Sequence, residues 1–89
     1  MESNEILTLV GFLLGSEYRH KVLLALEGGI KMPKQISKHT DIQINHVSNI
    51  LKELSDKNLV SCETPCLRKG RLYKITDKGK NVLLRIRKL

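Results

Sequence analysis

The chain has 89 residues, 40% of them hydrophobic and only three aromatic, so Leu, Ile and Val must fill a single small core. No apolar run approaches the ~18 residues of a membrane-spanning helix, and the amino terminus lacks the basic start and cleavage site of a secretory signal. The net charge of +7 is unevenly placed: residues 1–30 hold two basic and four acidic side chains, residues 31–89 fourteen and five. A basic excess confined to one part of a small domain is the footprint expected of a polyanion binder. Two cysteines in a chain without a signal are expected to be reduced thiols, which points to the cytoplasm.

Residues 4–14 read as an apolar helix crowded around much of its circumference. Ile6, Leu7, Leu9, Val10, Phe12, Leu13 and Leu14 exceed what one face can hide against a small core, so part of this surface, with Ile6, Leu9, Val10, Phe12 and Leu13 as the named candidates, is expected to meet a second copy of the chain. Ser16 is a plausible N-cap for a second helix, with Glu17 in its first turn and a stripe of Tyr18, Val22, Leu23 and Leu26 that stops at Gly28-Gly29. Residues 30–32 could supply a short strand. Pro33 suits the first position of a third helix, about residues 33–39, with Ile36 inward and Lys34 and Lys38 on one exposed face.

Asp41 and Ile42 form a turn, Asp tolerating a left-handed conformation and Ile42 plugging the gap between helices. Thr40 and Gln43 match a capping box, which would start the next helix at Asp41; a start near Gln43 is preferred. In that long helix, about residues 43–57, Val47, Ile50, Leu51 and Leu54 form one apolar stripe. Gln43, Asn45, His46, Ser48, Asn49 and Lys52 lie off it, a set of amides, a hydroxyl, an imidazole and a lysine suited to reading base edges. Asn58 closes the helix. Residues 59–64 and 71–76 read as two strands of a hairpin, joined by a turn that places Arg68, Lys69 and Arg71 together. Thr76 caps a last helix over residues 77–89, with Gly79, Val82, Leu83 and Ile86 inward. Leu84 and Leu89 lie off that stripe, as further candidates for an intermolecular contact.

The expected fold is mainly α with a small β-hairpin. Its order of three helices, a two- or three-stranded wing and a final helix is that of a winged helix-turn-helix. A single domain spans residues 1–89, with an amino-terminal helix (1–14), a winged-helix core (16–76) and a carboxy-terminal helix (77–89). The run Pro33-Lys34-Gln35-Ile36-Ser37-Lys38, then His46-Val47-Ser48-x-x-Leu51-x-x-Leu54 and Asn58-Leu59-Val60, resembles ArsR/MarR-type prokaryotic regulators, particularly small archaeal ones. Arg71-x-Tyr73-x-Ile75-Thr76-x-x-Gly79 resembles their second wing strand and its entry into the last helix. The resemblance covers roughly residues 16–84 and implies a recognition helix at 43–57 and a wing at 65–71. Asn58 stands where that family often has Gly, which fits because Asn also tolerates positive φ. The paired cysteines of the metal-sensing members are missing from this recognition helix, and no ligand domain is added.

The expectation is therefore a homodimeric, sequence-specific binder of double-stranded DNA that regulates transcription. Lys34, Lys38, Lys52, Arg68, Lys69 and Arg71 would meet phosphates, while Gln43, Asn45, His46, Ser48 and Asn49 would meet bases. A winged helix that docks a larger protein assembly through its basic surface is the alternative. Cys62 and Cys66 are read as a buried and an incidental exposed thiol, ahead of a redox switch of the wing or a metal site, because no second cysteine pair or grouped histidines complete a ligand set. No carboxylate pair, nucleophile-and-base arrangement or Gly-rich phosphate loop is visible, so neither catalysis nor a cofactor is expected.

Overall fold

The computed structural model describes residues 4–89; residues 1–3, part of the amino-terminal segment expected from the sequence, lie outside the described residues. Five helices and one hairpin follow in the order α1 (Asn4–Leu14), α2 (Glu17–Leu26), α3 (Pro33–Thr40), α4 (Ile44–Asp56), β1 (Val60–Cys62), β2 (Tyr73–Ile75) and α5 (Asp77–Arg87). This is a winged helix-turn-helix, mainly helical with a two-stranded antiparallel wing. No helix among the described residues is long and apolar enough to cross a membrane.

The caps lie where the sequence places them. The Ser16 hydroxyl accepts from the Arg19 N–H at the start of α2, and the Thr76 hydroxyl accepts from the Gly79 N–H at the start of α5. Pro33 opens α3, and the Gln35 side-chain oxygen accepts the Met32 N–H at 2.8 Å, so the orphan donor ahead of the proline helix is satisfied. The core runs through all five helices: Leu13, Val22, Leu23, Leu26, Ile36, Val47, Leu51, Leu54 and Leu59 are fully buried, and Val82 and Leu83 close it from α5.

The strands are shorter than the expected six residues each. Register pairs Val60 with Ile75, Ser61 with Lys74 and Cys62 with Tyr73. Beyond Cys62 the Glu63 N–H still donates to the Leu72 carbonyl at 2.7 Å, but the Leu72 N–H turns to the Thr64 hydroxyl at 2.9 Å. A side chain thus replaces the ladder and releases the wing loop. The third strand considered for residues 30–32 is reduced to one bridge, in which Lys31 and Tyr73 exchange both backbone hydrogen bonds.

Where α4 leaves off and α5 begins, four elements meet closely. Asn58 adopts φ 60°, a left-handed position it tolerates better than most residues. The Thr76 hydroxyl donates to its carbonyl at 2.7 Å, and the Thr76 N–H donates to the Leu59 carbonyl at 3.0 Å. Gly79 lies directly beneath: a Cβ there would stand 2.4 Å from the Leu59 carbonyl oxygen and 2.7 Å from Ile75 Cγ1. Gly11, exposed on α1, has open space where a Cβ would go.

These two glycines should respond oppositely to alanine. Gly79→Ala forces backbone apart and is expected to destabilise by about 1–3 kcal/mol, whereas Gly11→Ala removes a helix-weakening residue and should stabilise by about 0.5–1 kcal/mol. Urea denaturation midpoints of the two variants check both signs.

Candidate nucleic-acid interface

The helix-turn-helix is held by short polar contacts rather than by a cap on α4. Asp41 takes φ 61° and its N–H donates to the Ser37 carbonyl at 2.9 Å. The Ser37 hydroxyl donates to the Ile42 carbonyl at 2.5 Å, and Ile42 is buried between α3 and α4. The capping box considered for Thr40 and Gln43 does not form. The Thr40 hydroxyl instead donates to the Ile36 carbonyl at 2.7 Å, and Gln43 flanks α4 with no side-chain cap. The first N–H groups of α4 therefore keep their positive partial charge facing outward.

With Val47, Ile50, Leu51 and Leu54 buried, every residue expected to meet bases is exposed: Gln43, Asn45, His46, Ser48 and Asn49. They do not share one surface. Ser48 and Asn49 line a groove of about 970 Å³ between α4, the amino end of α3 and the wing. His46 turns to the α2 side of α4, where its ring centroid lies 6.2 Å from that of Tyr18. Gln43 and Asn45 are exposed outside the groove lining.

Five of the six expected phosphate-binding cations border the groove: Lys34 from α3, Lys52 from α4, and Arg68, Lys69 and Arg71 from the wing loop. Lys38 is exposed on α3 but stands apart from them. Asp56 is the only acid in the lining, and none of the five cations is in an ion pair among the described residues. The Arg71 guanidinium donates to the Leu67 carbonyl at 2.5 Å, which folds the loop back on itself. The floor includes Tyr73 and the half-buried Cys62, while Cys66 is exposed and both cysteines are free thiols. No group of three or more metal-ligating side chains is found among the described residues.

Sequence reasoning missed two contributors. Ile44, the first residue of α4, falls in phase with the buried stripe yet is 50% exposed and lines the groove. Arg19, on α2, holds the opposite edge of α4. Its Nε and Nη2 donate to the two carboxylate oxygens of Glu53 at 3.2 and 3.1 Å, and its Nη1 donates to the Phe12 carbonyl at 3.1 Å. The guanidinium lies 4.1 Å from the centroid of the Phe12 ring. A bidentate pair stacked on an aromatic ring is geometry that Lys cannot reproduce. The 34-residue separation of Arg19 and Glu53 leaves no local pattern that would reveal the pair.

The expected intermolecular surface is corrected in part. Leu9, Val10 and Leu13 are buried within the chain itself, because α1 packs against both α2 and α5 and hides two of its faces. Ile6 and Phe12 are partly buried against the same core, Phe12 beneath Arg19. Leu84 and Leu89 are exposed, as expected. The apolar side chains that α1 leaves in the open are Leu7 and Leu14, both about half exposed.

No protein-family model matches the sequence, and comparison with curated proteins finds no significant similarity. Solved structures do match. The reduced form of the transcriptional regulator YodB from B. subtilis superposes with a TM-score of 0.78 at 21% identity, covering 99% of this chain and 87% of that one. The quinone-bound YodB from B. subtilis gives a TM-score of 0.76 at 20% identity, over 92% and 87% of the two chains. At this level of identity the likeness is one of fold.

The Arg19 hydrogen bonds hold the Glu53 carboxyl below the ordinary glutamate range, with a smaller opposing effect from burial. A carboxyl depressed in the folded state adds stability that is complete above its unfolded pKa and lost as pH falls through its folded pKa. Because the Glu53 side chain is 45% exposed, solvent screens much of this contribution. Arg19→Met should therefore be less stable than the wild type at neutral pH, and the difference should narrow below about pH 4. Thermal melts across that range, with the Glu53 carboxyl titrated by NMR, check the sign.

Proposed function

We propose that the chain is a sequence-specific, double-stranded DNA-binding transcriptional regulator of the ArsR/MarR kind, cytoplasmic and homodimeric, acting by binding rather than catalysis. The observation that carries this reading is the groove beside α4, where five cations that make no ion pair among the described residues share the lining with the hydroxyl and amide of Ser48 and Asn49. Cations at the rim suit phosphates, which position a duplex, and a hydrogen-bonding helix face suits base edges, which specify it. The uncapped amino end of α4 adds a favourable partial charge toward a phosphate. The fold shared with a transcriptional regulator is consistent with this use. Gln43, Asn45 and His46, exposed beside the groove, would extend base contacts along the same helix, and Lys38 would meet a phosphate flanking α3.

Neutralising about five phosphates per subunit predicts a slope of roughly −4 to −5 in log K against log salt for each subunit. Fluorescence anisotropy with a random duplex measures it; a slope near zero would favour docking to a protein assembly instead. Arg68→Ala and Lys69→Ala should weaken all duplexes alike, whereas Asn49→Ala should narrow the gap between selected and random DNA by about 1–3 kcal/mol. Identical behaviour of wing and helix variants would mean that the reading face is misassigned.

Pairing doubles the sequence read and sets half-sites about one helical turn apart. The support for a homodimer is the apolar surface that α1 and α5 leave uncovered, Leu7, Leu14, Leu84 and Leu89, on elements outside the helix-turn-helix. Wild-type protein should sediment as a dimer at tens of micromolar, on the order of a marginal self-affinity. Leu14→Glu and Leu84→Glu should give folded monomers, and Val10→Glu should unfold the domain because Val10 is buried. A monomeric wild type refutes the dimer.

A further inference from the structure

α4 carries one apolar side chain that its packing does not use. Val47, Ile50, Leu51 and Leu54 are all buried, and Ile44, three residues before Val47, continues their phase. It is nevertheless 50% exposed, because the helix begins with it and the first turn projects past the edge of the core. Single exposed apolar residues are ordinary on protein surfaces. This one lies inside a concavity, on the wall shared with Ser48 and Lys52, which follow it at four-residue steps along the same side of α4. Its neighbours in sequence, Gln43 and Asn45, are amides. An apolar side chain there interrupts a face otherwise made to hydrogen-bond.

The major groove offers one apolar group, the C5-methyl of thymine. Recognition helices meet base edges with their amino-terminal residues, and Ile44 is the first residue of this one. Ile44 and Ser48 are separated by about 6 Å along the helix axis, roughly two base steps of 3.4 Å. A base pair read by Ser48 therefore has a neighbour within reach of Ile44. Against cytosine or a purine, the same side chain would desolvate a donor or acceptor without supplying a partner, an unfavourable contact.

We propose that Ile44 reads a thymine methyl group, so that each half-site carries a T·A pair where the amino end of α4 meets the bases. This rests on the DNA-binding reading above and adds to it a base identity and the residue that selects it. Burying one methyl contributes about 0.8 kcal/mol, so deleting it should weaken binding roughly fourfold.

The test is a uracil scan of a duplex selected from a randomised pool, each thymine replaced in turn by uracil, which lacks only the methyl. One thymine per half-site should show a roughly fourfold loss with wild-type protein and no loss with Ile44→Ala or Ile44→Gln. Both variants should keep the wild-type circular dichroism spectrum and the wild-type salt slope on random duplex, which report that they are folded and still hold the same number of phosphates. A selected duplex without a T·A pair at the contacted position, or a scan flat for the wild type, overturns the proposal while leaving salt-sensitive binding intact. So does an equal uracil penalty in wild type and variants. Absence of salt-sensitive duplex binding removes the DNA reading and this inference together.

Discussion

The backbone of residue 79 comes so close to Leu59 that a methyl group cannot stand between them. That contact sets the wing. Leu59 leads directly from the left-handed Asn58 into β1, and Thr76 ties the carbonyls of both residues at the mouth of α5. The end of α4, the root of the hairpin and the start of the last helix thus share one point of closest approach. A groove between helix and wing keeps its width only if those two walls are fixed relative to each other, and here they are fixed by backbone. The loop beyond Cys62 is held by side-chain hydrogen bonds, through the Thr64 hydroxyl and the Arg71 guanidinium, where the base of the wall is held by backbone.

The other edge of α4 is held by charge. Arg19 gathers the Glu53 carboxylate, the Phe12 carbonyl and the Phe12 ring around one guanidinium, which joins α1 and α2 to α4. The arrangement also gives Phe12 a role inside the domain. With its α1 neighbours Leu9, Val10 and Leu13 in the core, α1 acts as a structural helix on one side, leaving only Leu7 and Leu14 open on the other.

Much of the architecture was legible because it is written locally. Ser16, Pro33, Asp41, Asn58 and Thr76 each act within a few residues of their own position, and each occupies the cap or turn expected of it. The α4 stripe was equally plain, since 3.6-residue periodicity needs no knowledge of neighbours. What failed depended on them. Counting apolar residues on α1 overstated the surplus, because a helix wedged between two others buries more of its circumference than one lying on a flat core; Leu7 and Leu14 are what remains uncovered. The apolar stripe began at Val47, and nothing in its periodicity singled out Ile44, one turn earlier, as a groove residue. The Arg19–Glu53 pair and the grouping of Lys34 with the wing cations arise only when distant segments meet. The residues expected at bases were correctly exposed, but burial alone could not divide Ser48 and Asn49 in the groove from His46 on the α2 side.

The pairing of acids elsewhere has a further consequence for the groove. Glu5 meets Lys78, Glu17 meets Lys21, Glu27 meets Arg87, Glu53 meets Arg19 and Glu63 meets Lys74, so each of these carboxylates compensates a cation outside the groove lining. Of the cations that make no ion pair among the described residues, five border one concavity while Lys31, Lys38, Lys57, Lys80 and Lys88 are spread over the rest of the surface, so the molecule's positive field is weighted toward the groove. A polyanion near the molecule would meet the densest cluster of these cations on the groove side. Fewer collisions are then spent in unproductive orientations, and the search that normally slows docking of two specific surfaces is shortened, most of all where counterions are dilute.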